Sequence, residues 1–216
     1  MISTRRRVAP LLLLTVLLGA AACGGSDGST ASPMPPATSD AVSASPAAVT
    51  SSASPTLTID PQAPLTQRVR SAFYEPFTLR LPEGWTSVLR DKAAYQVYTG
   101  NEEYEITFDH TYTSEESVAE AIARLKEAPG LQAGAVTPVK IGNREGMGFE
   151  GSSDAAVMFG DSGFHTNEPG RLQVFAVPAD DGTTITVFLT AGADPINGMD
   201  TLGPLARRIF KTVRWR

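Results

Sequence analysis

With one cysteine in 216 residues, Cys23, the chain has no partner for an internal disulfide, and an exported form is left with a single thiol to explain. Catalytic signatures are missing too: there is no Gly-x-Ser-x-Gly elbow, no Walker loop and no dinucleotide glycine motif opening a helix. Basic residues are outnumbered, 18 Lys and Arg against 23 Asp and Glu, which speaks against a nucleic-acid partner because phosphate binding relies on clustered cations. The apolar stretch from Val8 to Ala22 has fifteen residues, short of the about 20 that a membrane-spanning helix needs. From Gly24 to Pro64 there is no aromatic and no basic residue. Such a segment cannot bury enough apolar surface to offset its ordering entropy.

What is present begins with a leader. Arg5-Arg6-Arg7 forms a basic start, Leu11 to Leu18 an apolar run broken only by Thr15, and Gly19-Ala20-Ala21-Ala22 the small residues that processing requires. The run ending in Cys23 resembles bacterial lipoprotein signals. The resemblance implies removal of residues 1–22, with Cys23 as the first mature residue, its thiol carrying a diacylglyceryl group. Ala20 stands where such signals prefer Leu, and Ala20-Ala21-Ala22 also meets the small-x-small rule of ordinary secretion. Loss of Arg5, Arg6 and Arg7 takes the basic residues from 18 to 15 against 23 acidic ones, a net charge of −8. Attraction to an anionic lipid surface is therefore not expected of the molecule as a whole. Membrane association has to come from the lipid, and a diacyl group plus an amino-terminal acyl chain is sufficient for stable anchoring. The expected location is the outer face of the cell membrane. Residues 23–64, lipidated Cys23 followed by Ser, Thr, Ala and Pro, read as a disordered tether whose mean reach is on the order of 35 Å. The same composition also fits an O-glycosylated stalk.

Residues 65–216 have the size of one domain with one core. Phe77-Thr78-Leu79-Arg80-Leu81 alternates in the strand period and stops at Pro82-Glu83-Gly84-Trp85. Further strands are expected at Tyr95 to Thr99, Glu103 to Asp109, Val136 to Ile141, Glu145 to Phe149, Ala155 to Phe159, Arg171 to Val177 and Thr183 to Thr190. Gly100-Asn101, Gly142-Asn143 and Asp180-Asp181-Gly182 supply hairpin turns, so the sheet should be antiparallel. A helix is expected after a capping box at Thr113 and Glu116, with Val118, Ala121, Ile122 and Leu125 on one face and Pro129-Gly130 as its stop. A second, capped by Asp200, lines Leu202, Leu205, Ala206, Ile209, Phe210 and Val213 along one stripe. A helical turn from Thr66 to Ala72 completes the set.

This order of elements resembles the PsbP/Mog1 fold over most of residues 75–214. With the leader and tether it is similar to actinobacterial lipoproteins of the LpqN type. The resemblance implies an α+β domain, an antiparallel β-sheet flanked by helices on both faces in an α/β/α sandwich, and accessory or binding roles without catalysis. It supplies no catalytic residues and no cofactor.

The residues themselves point the same way. Asp109-His110 is adjacent on a strand, so the two side chains face opposite ways, and His110 reads as a surface residue at a strand end. His165 lies in the loop 160–170, where Asp161, His165 and Glu168 offer a candidate metal set or hydrolase site, although their spacing matches no known cage. Glu102-Glu103 and Glu115-Glu116 sit at a turn and a helix start, where solvation and the helix dipole account for them. The expected function is thus a membrane-anchored envelope module that binds a protein partner or an apolar ligand. Trp85, Tyr95, Tyr98, Phe159 and Phe164 are the aromatics to line such a site or to fill the core.

Overall fold

The computed structural model describes residues 59–100, 102–110, 116–159, 164–166, 168–192 and 197–216. The chain divides into two units, Met1–Ser51 and Ser52–Arg216, and all the described residues belong to the second. The leader, Cys23 and most of the expected tether lie outside the described residues.

Alternating side chains in the second unit give eleven strands: β1 (Gln67–Ser71), β2 (Phe77–Leu81), β3 (Trp85–Asp91), β4 (Ala94–Thr99), β5 (Tyr104–His110), β6 (Leu131–Ala133), β7 (Thr137–Ile141), β8 (Arg144–Ser153), β9 (Gly170–Pro178), β10 (Thr184–Ala191) and β11 (Arg214–Trp215). Two helices join them, α1 (Val118–Lys126) and α2 (Gly198–Thr212). Eight strands form one antiparallel sheet in the order β3-β4-β5-β10-β9-β8-β6, with β7 also paired to β8. The ten-residue β8 serves two neighbours on one edge: its first half pairs with β7 and its last three residues with β6. The remaining strands make a small sheet, β1-β2-β11, also antiparallel.

The central strands β9 and β10 are apolar on both faces because both faces are covered. Leu172, Val174, Ala176 and Phe188 pack with Ala121, Ile122 and Leu125 of α1. Phe175, Val177, Ile185, Val187 and Leu189 pack on the opposite side with Leu202, Leu205, Ala206, Ile209 and Phe210 of α2, and Phe77, Leu79 and Leu81 of the small sheet join that second core. Helices therefore lie on both faces of an antiparallel sheet, the α+β sandwich expected from the sequence. At Gly148 the close packing demands glycine. A Cβ there would stand 2.3 Å from Phe175 Cδ1 and 2.7 Å from the Val174 carbonyl oxygen, and Phe175 in turn meets Phe210 of α2 edge-on at 5.5 Å.

Several expectations need correction. Helix α1 is capped by Ser117, not Thr113: the Ser117 hydroxyl accepts from the Glu120 backbone N–H, and the Glu120 carboxylate accepts from the Ser117 backbone N–H. The reciprocal box sits four residues later than expected because Ser117 and Glu120 match the same pattern and lie directly before the apolar run. Asn197, not Asp200, holds the N-cap position of α2, and Asp200 falls in the first turn. Thr66 to Ala72 is no helical turn. Gln67–Ser71 is an edge strand whose exposed Arg68 and Arg70 alternate with half-buried Val69 and buried Ser71. Ala155 to Phe159 is not a sheet strand, since Val157 and Phe159 bury into the α1 side while their backbones bond Thr166 and Phe164. Trp85, read as the end of a turn, opens β3.

Candidate functional site

The polar residues of most chemical interest gather where β5 ends, where the link between β1 and β2 passes, and where β9 turns into β10. Gly182, at φ +85°, lets the chain reverse after Asp180-Asp181. The Asp181 carboxylate then accepts three hydrogen bonds: from the Thr183 backbone N–H at 3.0 Å, the Thr183 hydroxyl at 2.5 Å and the Tyr74 hydroxyl at 2.6 Å. Tyr74 stacks its ring on His110, with centroids 3.9 Å apart and planes 13° from parallel. His110 Nε2 lies 2.7 Å from Thr183 Oγ1.

The direction of these bonds decides what the cluster can do. The hydrogen bonds from the Thr183 hydroxyl and backbone, with that from Tyr74, hold Asp181 well below the usual carboxylate range. An ionised carboxylate only accepts, so the single Thr183 hydroxyl proton goes to Asp181. Toward His110 the same oxygen is left as an acceptor, and His110 Nε2 must donate. The constellation of threonine, histidine and aspartate is therefore wired against nucleophile activation, which requires the histidine to accept the hydroxyl proton. Burial lowers the pKa of His110, opposed by the charges of Asp181 and Glu75, while the Asp181 hydrogen bond raises the Tyr74 phenol. Both stay uncharged at neutral pH, and the cluster locks a turn.

Beside it, Arg144 at the start of β8 is buried with Glu75, to which it is ion-paired, and reaches Asp180 Oδ1 at 2.6 Å. Its guanidinium carbon stands 4.5 Å above the Trp215 ring. Glu75 also accepts the Asp180 backbone N–H. One buried ion pair thereby ties the chain before β2 to the turn after β9 and the strand after α2.

The residues singled out from the sequence fall as follows. His110 is buried, not a surface residue, because the Tyr74 ring covers it; Asp109 is buried on the opposite side of the strand, as adjacency requires. His165 is exposed and bridges Met158, Glu168 is exposed, and Asp161 lies outside the described residues. Among the described residues no three His, Cys, Asp or Glu side chains gather around a common point. Glu102 sits in the β4–β5 turn at φ +59°. Glu116 pairs with Arg124 at 2.9 Å, and Glu115 lies outside the described residues. Tyr95 and Phe159 are core residues, Tyr98 is half-buried, and Phe164 stacks on Phe188 at 4.0 Å over the α1-side core. Tyr74, Thr183 and Arg144 were missed, since nothing local marks them; they meet only through the register of distant strands.

Trp85 is buried in the α2-side core as well, and it also lines an open groove. It has a volume of about 570 Å³ and is walled by Ile59, Ala63, Pro82, Trp85 and Leu205, with Thr99 and Gly100 at one side and Asp60 and Glu83 as its acidic members. Ile59 is buried in the α2-side core, and Arg208 donates to the Pro61 carbonyl at 2.6 Å. Residues 59–63, expected to belong to the disordered tether, instead pack on the domain and form one wall, because Ile59 is drawn into the core and Arg208 holds the Pro61 carbonyl.

No family model matches the chain, and no curated protein is significantly similar to it in sequence. Solved structures align with it as follows. The cyanobacterial PsbP of Synechocystis aligns at a TM-score of 0.46 and 10% identity, over 76% of this chain and 100% of that one. The Ran-binding protein Mog1p of Saccharomyces cerevisiae aligns at 0.42 and 10% identity, over 68% and 95%. A protein from Bacteroides thetaiotaomicron aligns at 0.34 and 12% identity, over 65% and 45%. Function is a matter of this chain's own residues.

Proposed function

We propose that this chain is a non-catalytic binding module, exported and held at the outer face of the cell membrane by a lipidated Cys23 in the manner of LpqN-type lipoproteins, and that it takes an apolar envelope ligand in the groove beside Trp85. The leader and the lone cysteine support the anchor. The groove carries the binding reading: its volume falls within the usual range of ligand sites, and most of its wall is apolar. His110, Asp181, Thr183, Glu75 and Arg144 are engaged in holding the turn between β9 and β10. Asp60 and Glu83 make the groove unfavourable for a fatty-acid anion, so the ligand is a lipid with a neutral or cationic head.

A fluorescent neutral acylglycerol added to the mature chain tests this. Saturable binding is expected, and Gly100→Leu should abolish it without lowering Tm, because Gly100 lines the groove and a Cβ there meets nothing within 4 Å, which leaves the added side chain room to fill groove space without displacing the fold. Absence of saturable binding, or binding indifferent to Gly100→Leu, contradicts the proposal.

A further inference from the structure

The outer face of the small sheet is an arginine array. Strand β2 turns Phe77, Leu79 and Leu81 into the core, so Arg80 and Thr78, the latter buried, lie on the outer face. The register sets Arg68 of β1 directly opposite Arg80, Arg70 opposite Thr78, and Arg214 of β11 opposite Thr78 from the other side. Arg216, two residues beyond Arg214, follows in the same alternation, its backbone N–H bonded to the Pro76 carbonyl. All five arginines are exposed. None of these outward side chains is a carboxylate, and none of the five arginines forms a salt bridge with a described residue. Arg214 instead donates to the Lys211 and Val213 carbonyls.

This arrangement is costly for an isolated domain. Like charges placed directly across an antiparallel pair destabilise it, and Arg68 and Arg80 are such a pair. Strands about 4.8 Å apart, with outward residues about 6.8 Å apart along each, make a flat lattice of guanidiniums suited to repeated phosphate groups. The face has no exposed aromatic or large aliphatic side chain among its outward positions, and so lacks the anchors on which protein interfaces depend.

We infer that this face docks on the anionic phosphate headgroups of the membrane. The choice of a bilayer rests on the lipid-anchored reading above: the tether delivers the chain to Ile59 and, eight residues later, into β1, the edge strand of this face. A segment with a mean reach on the order of 35 Å allows the domain to lie against the surface that holds its anchor. The net charge of −8 does not oppose this, because screening confines the interaction to charges within about 10 Å of the headgroups.

The test uses the chain from residue 23 onward with Cys23→Ser, which carries no acyl group, and vesicles of phosphatidylcholine with or without phosphatidylglycerol. Salt-sensitive binding to the phosphatidylglycerol vesicles alone is expected. Each arginine removed should weaken it about fivefold, so Arg68→Gln/Arg70→Gln/Arg80→Gln should lose roughly a hundredfold. Lys126→Gln, on α1 across the large sheet, should leave it unchanged. The triple variant should unfold at the same temperature as the parent or higher, since the Arg68–Arg80 repulsion is gone; this separates lost docking from lost folding. No binding to phosphatidylglycerol vesicles, full binding by the triple variant, or binding to soluble polyphosphate without binding to vesicles overturns the inference. The mass of the native amino terminus reports on the anchor separately: an unmodified Cys23 together with vesicle binding removes the anchor and keeps the face.

Discussion

At the scale of single residues, two buried groups set the molecule's response to pH and substitution. His110 is held neutral beneath Tyr74. Its folded pKa lies below the ordinary 6.5, so as pH falls through that value the unfolded chain takes up a proton before the folded one. Its contribution to stability is complete above 6.5 and is lost progressively as pH drops toward the folded value. Thermal unfolding followed from neutral pH to about 5 should show Tm falling, and His110→Gln should flatten that part of the curve. Arg144 is the second group. Arg144→Ala leaves Glu75 buried without its partner and should cost about 3 to 5 kcal/mol in chemical denaturation. Converting both residues together, with Arg144→Met and Glu75→Leu, should recover most of that loss, because no charge is then stranded.

At the scale of elements, α1 stands on a nine-residue helix whose start depends on one reciprocal cap. Ser117→Ala should lower stability by about 1 kcal/mol, and Ser117→Asp should restore most of it, as read by thermal unfolding. Strands with strict alternation or long apolar runs, such as β2, β9 and β10, were legible in the sequence because burial writes itself into the side-chain period. So were the hairpins at Gly142 and Asp180-Asp181-Gly182, where turn chemistry is local. The short edge strands β1, β6 and β11 were not, since they are held by pairing partners far away in sequence rather than by their own pattern. Ser117 lost out to Thr113 because two capping patterns follow one another at the start of the same apolar run. The candidate sites were less legible still. His110 reads as a strand-end surface residue in isolation, yet it is buried, with a tyrosine 36 positions earlier laid across it.

At the scale of the whole molecule, an acidic chain segregates its charge. Five of its arginines share the outer face of the small sheet, while its carboxylates lie elsewhere, on the large sheet, at turns, at helix starts and at the groove rim. Ile59, Asp60 and Ala63 wall the groove and β1 of the arginine face begins at Gln67, so the two features follow one another closely along the chain. On the proposed anchoring, a module with its cationic face toward phosphate headgroups and an apolar groove nearby would take a lipid from, or present one to, the same membrane. The central claim is that the groove is occupied by such a ligand. Native mass spectrometry of the mature protein, purified from its own membrane, tests it most directly: a discrete added mass released by denaturation and absent from Gly100→Leu is expected, whereas an unliganded mass in both proteins would contradict it.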